Sequence, residues 1–141
     1  MKTCTFIGHR DTSEIVENSL EAVVRNLILN KSVTRFYVGT HGNFDIIVQR
    51  LLKKLKKEYS FIEYKIVLAY IPQKADDYTD YSNTIYPDGL ENVLYRFAIV
   101  ERNKWMIDNS DYLICYVKHK FSNAYKIKEY AVKKDKIIFQ L

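Results

Sequence analysis

Two cysteines, two prolines, four glycines and one tryptophan are all that these 141 residues contain of those types. Cys4 and Cys115 each sit in an apolar run, form no Cys-x-x-Cys pair and have no metal-ligand spacing to a histidine. That pattern argues against a metal centre and predicts two buried thiols in a reducing cytoplasm. The longest apolar runs fall far short of the about 20 residues that cross a bilayer. The chain opens directly into a strand-like run, so neither a membrane span nor a signal peptide is expected, and the protein is read as cytosolic. Charge of one sign is not gathered either: 22 basic against 17 acidic side chains give +5, spread along the chain. The densest basic run, Lys53-Lys54-Leu55-Lys56-Lys57, ends a predicted helix. Cations suit the dipole there, and the alternative, a polyanion contact, ordinarily needs a larger patch. Repeats, linkers and low-complexity tracts are absent, which predicts one domain over residues 1–141.

Tyrosine is what the chain has in excess: twelve, beside seven phenylalanines. Partly exposed aromatic surface is expected, for stacking on a ring or for self-association, so a homodimer is one use of it. AT-rich bacterial codon usage produces the same bias without any function.

Strand and helix patterns alternate along the chain. Residues 3–8 read as a buried strand, followed by a capping signature with Asp11 at the cap and Glu14 three residues on. A helix over about 13–30 carries Val16, Leu20, Val23, Val24, Leu27 and Ile28 on one face. Arg35 to Gly39 form a second strand, Thr40 to Asn43 a tight turn, and residues 43–58 a second helix. A third strand over 63–70 precedes a stretch, 71–95, where periodicity is lost. It holds both prolines and Tyr78, Tyr81, Tyr86 and Tyr95, and reads as either a flap near a site or a subunit-contact arm. A helix over about 91–109, with Leu94, Phe97, Ala98 and Trp105, then a strand at 111–117, a helix at 123–134 and a strand at 136–140 close the chain. This alternation predicts a three-layer α/β sandwich around a five-stranded parallel sheet of order 3-2-1-4-5. Ligands of such sheets bind at the switch point, here between the first and fourth strands.

Several runs resemble a known family: Cys4-Thr5-Phe6-Ile7-Gly8-His9-Arg10, Ile85-Tyr86-Pro87-x-Gly89-Leu90-Glu91, Arg96-Phe97-Ala98-Ile99-x-x-Arg102-Asn103-x-Trp105-Met106-Ile107-Asp108, and Ser110-Asp111-Tyr112-Leu113-Ile114. Together they are similar to the YpsA-like (DUF1273-type) branch of the SLOG superfamily, which also includes the LOG phosphoribohydrolases and the DprA/Smf DNA-processing proteins. The resemblance implies a Rossmann-like fold and a pocket for nucleotides or nucleotide-derived ligands. LOG enzymes carry Pro-Gly-Gly-x-Gly-Thr-x-x-Glu where this chain has Ser122-Asn123-Ala124-Tyr125-Lys126-Ile127-Lys128-Glu129. Tyr125 and Lys126 hinder close backbone wrapping of a phosphate, and this degenerate motif argues against LOG-type hydrolysis. Ser122 and Asn123 remain good cap residues, so Ser122, Asn123 and Ala124 still suit an anion.

Candidate ligand contacts follow from the turns at the switch point. Gly8 ends the first strand, either as a plain strand end or to let backbone pass close to a ligand; His9 titrates, donates a hydrogen bond or serves structure. Arg10 pairs with a phosphate or carboxylate, or with a surface acid. In the second turn Gly39, Thr40, Gly42 and Asn43 present amides for phosphate, and Asp45 grips a ribose hydroxyl, acts as general acid or base, or complements the helix dipole. Arg102 and Asn103 either reach the ligand, or Arg102 ties its helix to Asp108 or Asp111. No catalytic residue is assigned; Asp45 and Glu129 are the candidates, and no metal or cofactor motif is present.

Three functions compete. The leading one is a cytosolic protein that binds a nucleotide-derived small molecule as a sensor or carrier. The second is cleavage or transfer at an N-glycosidic bond, using Asp45 or Glu129. The third is single-stranded nucleic-acid binding, for which Lys118, Lys120, Lys126 and Lys128 beside Tyr125 supply charge and a ring. The modest net charge ranks it last.

Overall fold

The computed structural model describes residues 2–71 and 82–141. Tyr78 and Tyr81 lie outside the described residues. In chain order the elements are β1 (Lys2–Gly8), α1 (Glu17–Asn30), β2 (Val33–Val38), α2 (Asn43–Glu58), β3 (Glu63–Val67), β4 (Thr84–Ile85), α3 (Ala98–Asp108), β5 (Tyr112–Tyr116), α4 (Asn123–Lys133) and β6 (Ile137–Gln140). The sheet is parallel throughout and runs β4-β3-β2-β1-β5-β6. The expected order of the five main strands is therefore kept, but the sheet has six strands, not five. The extra strand, β4, comes from the stretch expected to be irregular. Two residues carry no periodicity, yet β3 would otherwise leave an open edge. The amides of Ile66 and Leu68 donate to the carbonyls of Asn83 and Ile85, each at 2.8 Å.

Strands this apolar are covered on both faces. Cys4, Phe6, Phe36 and Val38 pack under α1 and α2, against residues such as Leu20, Val24, Phe44 and Val48. Ile7, Tyr37, Leu113 and Cys115 pack under α3 and α4, against Met106, Ile107, Ile127 and Ala131. Both cysteines are free and buried. The lysine run at the end of α2 serves structure: Lys54 pairs with Glu21 at 3.0 Å, and Lys56 Nζ donates to the carbonyls of Ser60 and Ile62. Among the described residues no helix is long and apolar enough to cross a membrane.

Two helix starts differ from the expectation. The Asp11–Glu14 capping box does not form. Thr12 instead closes a turn on the His9 carbonyl through its hydroxyl at 2.6 Å and its amide at 3.3 Å. Capping passes to Ser13, whose Oγ accepts the Ile15 amide above a short 3-10 turn, Glu14–Val16. Likewise α3 begins at Ala98 rather than near residue 91, behind two 3-10 turns, Leu90–Asn92 and Tyr95–Phe97. Gly89 at φ 84° and the extended backbone of Val93 and Leu94 interrupt the helix. Leu94 and Phe97, expected within the helix, therefore precede it and stand 60% and 47% exposed.

Candidate functional site

Parallel pairing of β1 with β5 puts Gly8 beside Tyr116, and the chain then leaves in opposite directions toward α1 and α4. A cavity of about 230 Å3 opens at this divergence. Its walls are the end of β1 and its turn (Ile7 to Asp11), the start of α4 (Ser122, Asn123, Ala124), one face of α3 (Ile99, Arg102, Asn103), and His41 with Asp45.

The start of α4 is a side-chain-capped helix end at the crevice. Ser122 is extended, its Oγ accepts the Tyr125 amide at 3.1 Å, and its hydroxyl donates to the His119 carbonyl at 2.7 Å. The amides of Asn123 and Ala124 have no intrahelical acceptor and stand at the crevice wall with the positive end of the dipole.

His9 is a latch. It is 8% exposed, and its Nε2 accepts the Lys118 amide at 2.8 Å, joining the turn after β1 to the loop that leads into α4. That bond places the neutral ring's proton on Nδ1. The His119 ring lies 4.7 Å away. Burial holds His9 below its ordinary value of 6.5, His119 adds to the depression, and Asp11 opposes it. A histidine depressed by folding binds its proton more readily in the unfolded chain. Its stabilisation is therefore complete above about pH 6.5 and is lost as the pH falls through the lower folded value. His41 is depressed as well, by burial and by Arg102 and Arg10. Asp45 gains stability as the pH falls over the same range, so the expected result is a difference: between pH 7 and pH 5 the unfolding midpoint of His9→Gln, which keeps an acceptor but does not titrate, shifts upward relative to that of the unaltered protein. Equal slopes in the two proteins would remove the latch.

The turn after β2 works differently from the expectation. The Asn43 amide donates to the Arg10 carbonyl at 2.9 Å and the His41 amide to Asp45 Oδ2 at 3.0 Å, so both are spent inside the protein. Gly39, Thr40, Gly42 and Asn43 do not line the crevice; His41 alone of this turn does. Gly42 holds φ 88°, and a Cβ there would come within 2.6 Å of Arg10 Cα. Gly39 is a spacer: a Cβ would come within 2.7 Å of Asp45 Oδ2 and 3.0 Å of Arg102 Cζ. Gly8 is a close approach too, but to the Phe44 ring. Arg10 is exposed on the rim of the crevice.

Arg102 is the unusual residue. Only 1% of it is exposed, and it is the largest of the fully buried side chains. Its Nε donates to Asn103 Oδ1 at 2.8 Å, and Nη1 to the Val67 carbonyl at 2.9 Å and Thr40 Oγ1 at 3.2 Å. Nη2 points at His41 Nδ1, 3.5 Å away. All of these acceptors are neutral, and among the described residues no carboxylate lies within ion-pair distance. The expected ties to Asp108 or Asp111 are not made: Asp108 accepts the Tyr130 hydroxyl and pairs with Lys134, and Asp111 accepts the Thr3 amide at the far edge of the sheet. Arg96 sits over the Phe97 ring at 4.9 Å.

Of the two candidate acids, Asp45 is in the crevice; Glu129 is exposed along α4 and does not line it. Burial pushes the Asp45 carboxyl up to about 6, against the pull of the His41 amide and of Arg102. Relative to its ordinary 3.8, the ionised form then costs about 3 kcal/mol at neutral pH. Stability from the protonated form is full below the ordinary value and is lost as pH rises through about 6. Asp45→Asn is expected to raise stability by about 1–3 kcal/mol at pH 8 and to add nothing at pH 3.5, measured by urea unfolding at both values. An equal gain at both would place the effect in packing.

Sequence reasoning missed Ile7, Asp11, His41 and Ile99 as lining residues. For His41 a signal existed, its place between two glycines after a strand. For Ile99 none did, because its role depends on how α3 docks. Among the described residues no three His, Cys, Asp or Glu side chains group as metal ligands.

Fold and crevice together define a Rossmann-like α/β protein with an open crevice at its switch point. No protein-family model and no curated protein matches the sequence. The fold matches that of the X-ray structure of DNA processing protein A (DprA) from Streptococcus pneumoniae, with a TM-score of 0.70 over 99% of this chain at 15% identity. The match takes in 50% of that protein, so this chain spans about half its length. At that identity the likeness is one of fold.

Proposed function

We propose that this chain, as a cytosolic member of the YpsA-like branch, binds a nucleotide or nucleotide-derived small molecule by its phosphate in the β1–β5 crevice, as a sensor or regulator. The observation that carries this is the buried Arg102 guanidinium. A buried charge whose hydrogen-bond acceptors are all neutral, and which Asp45 attracts without forming an ion pair, is costly, and an anion in the crevice relieves it. The free amides at the start of α4 and the exposed Arg10 give the same anion two further donors. Asp45 lies close to Arg102, so its carboxyl suits a sugar hydroxyl next to the phosphate rather than the phosphate itself.

A second reading, single-stranded nucleic acid, is favoured by the exposed Lys118, Lys120 and Phe121 at the rim, and by a fold neighbour that is a DNA-processing protein. N-glycosidic hydrolysis rests on Asp45 alone, since Glu129 stands outside the crevice. One experiment separates the three: a thermal-shift series with nucleoside phosphates, dinucleotides, nucleotide sugars, inorganic phosphate and an oligothymidylate, followed by mass spectrometry of each mixture. A nucleotide at 100 times its dissociation constant stabilises by about 2.7 kcal/mol. A response to the oligonucleotide alone, falling steeply with salt, would replace the small-molecule reading, and cleaved ligand would make the protein an enzyme.

A further inference from the structure

The crevice is small for a whole nucleotide. Its 230 Å3 falls below the roughly 300–1,000 Å3 of ordinary ligand pockets, and its only rings are two imidazoles. A phosphate and a pentose fill such a space, so a base attached to them lies outside it. Beside His41, on the outer side of the crevice, two rings are already arranged for that. Tyr95 stacks on Tyr70 with centroids 4.2 Å apart and planes 21° from parallel. The Tyr70 hydroxyl donates to the Tyr95 carbonyl at 3.1 Å, and the Tyr70 ring meets the His41 ring edge-on at 5.8 Å. Tyr95 is nevertheless 75% exposed, which leaves one ring face open to solvent.

Resting on the nucleotide reading of the crevice, we infer that the Tyr70–Tyr95 pair is the stacking platform for the ligand's base. His41 joins the two parts of the site, its Nδ1 near Arg102 Nη2 and its ring edge-on to Tyr70. Tyr95 has already lost its rotamer freedom to the stack, so adding a third ring costs little further ordering. Phe121, on the opposite rim, is 95% exposed and has no ring stacked on it among the described residues. A base settling there would have to order it first. A planar heterocycle joined through a sugar to a phosphate is thus the ligand class, and purines, with the larger face, bind better than pyrimidines.

Calorimetric titration with AMP and with ribose 5-phosphate tests this, because the two differ by the base alone. The unaltered protein is expected to hold AMP about tenfold or more tighter than ribose 5-phosphate. Tyr95→Ala brings AMP down to the ribose 5-phosphate level and leaves the latter unchanged, while Tyr95→Phe keeps the preference. Tyr95→Trp provides a second readout, its fluorescence quenched by AMP and not by ribose 5-phosphate. Equal affinity for both ligands in the unaltered protein would overturn the platform and leave the crevice standing. A preference that survives Tyr95→Ala but vanishes in Phe121→Ala overturns it by moving the base to the other rim. Binding of neither ligand overturns the crevice reading itself.

Discussion

Arg102→Met is expected to weaken AMP binding by about a hundredfold or more while the unliganded protein keeps most of its stability. The two effects separate because the guanidinium's charge and its hydrogen bonds have opposite consequences for the empty protein. Losing a charge that only the Val67 carbonyl, Thr40 and Asn103 satisfy relieves a desolvation cost. Stranding the Val67 carbonyl costs about 1–3 kcal/mol. These terms nearly offset, so the unfolding free energy measured with urea changes by no more than about 1–2 kcal/mol. Ligand binding has no such offset, since a buried, charge-assisted contact to an anion is worth roughly 2–5 kcal/mol. Arg102→Lys retains the charge without the planar fork and falls between the two. Undiminished AMP affinity in Arg102→Met would end the proposed role, and collapse of the fold with no change in the affinity of refolded protein would make Arg102 a structural post.

Gly8→Ala carries the largest expected loss of stability. A Cβ at residue 8 would fall within the Phe44 ring, which is 1% exposed and sealed between α2 and the sheet. Neither can withdraw, because Gly8 is held in the ladder opposite Tyr116 and Phe44 opens α2. Overpacking of this kind costs about 1–3 kcal/mol and occasionally more, here about 3 kcal/mol. That lowers the thermal midpoint by roughly 10 °C for a chain of this length. Adding Phe44→Leu makes room, so the double variant is expected to be more stable than Gly8→Ala alone, a coupling of opposite sign to simple addition. A near-neutral Gly8→Ala would return Gly8 to the role of admitting a ligand.

Those two residues show where reading the chain succeeds and where it stops. Gly8 was recognisable as a place of close approach because it ends an apolar strand before a polar turn. What approaches it was not, since Phe44 lies one crossover away in sequence. Arg102 stood in a distinctive helix motif, but its candidate partners Asp108 and Asp111 were chosen by nearness along the chain. Its actual contacts, Thr40 and Val67, come from two other segments. The same holds for the amides of the Gly39–Asn43 turn, which local pattern offers to a phosphate. Arg10 and Asp45 claim two of them once β1 and β2 lie side by side.

By itself the sequence determined the strand–helix alternation, the relative order of the five main strands and hence the edge at which the crevice opens. It also determined the cap at Ser122, which depends on one side chain and the next three residues. These are consequences of periodicity, parallel crossover handedness and backbone chemistry, all of which act over short stretches. Tertiary structure alone decided the sixth strand, the burial of Arg102, the elevation of Asp45 and the union of His9 with the Lys118 amide. Each of these depends on which surfaces are brought together and how far water is kept out, and desolvation is a property of a place in the fold, not of a residue in a chain.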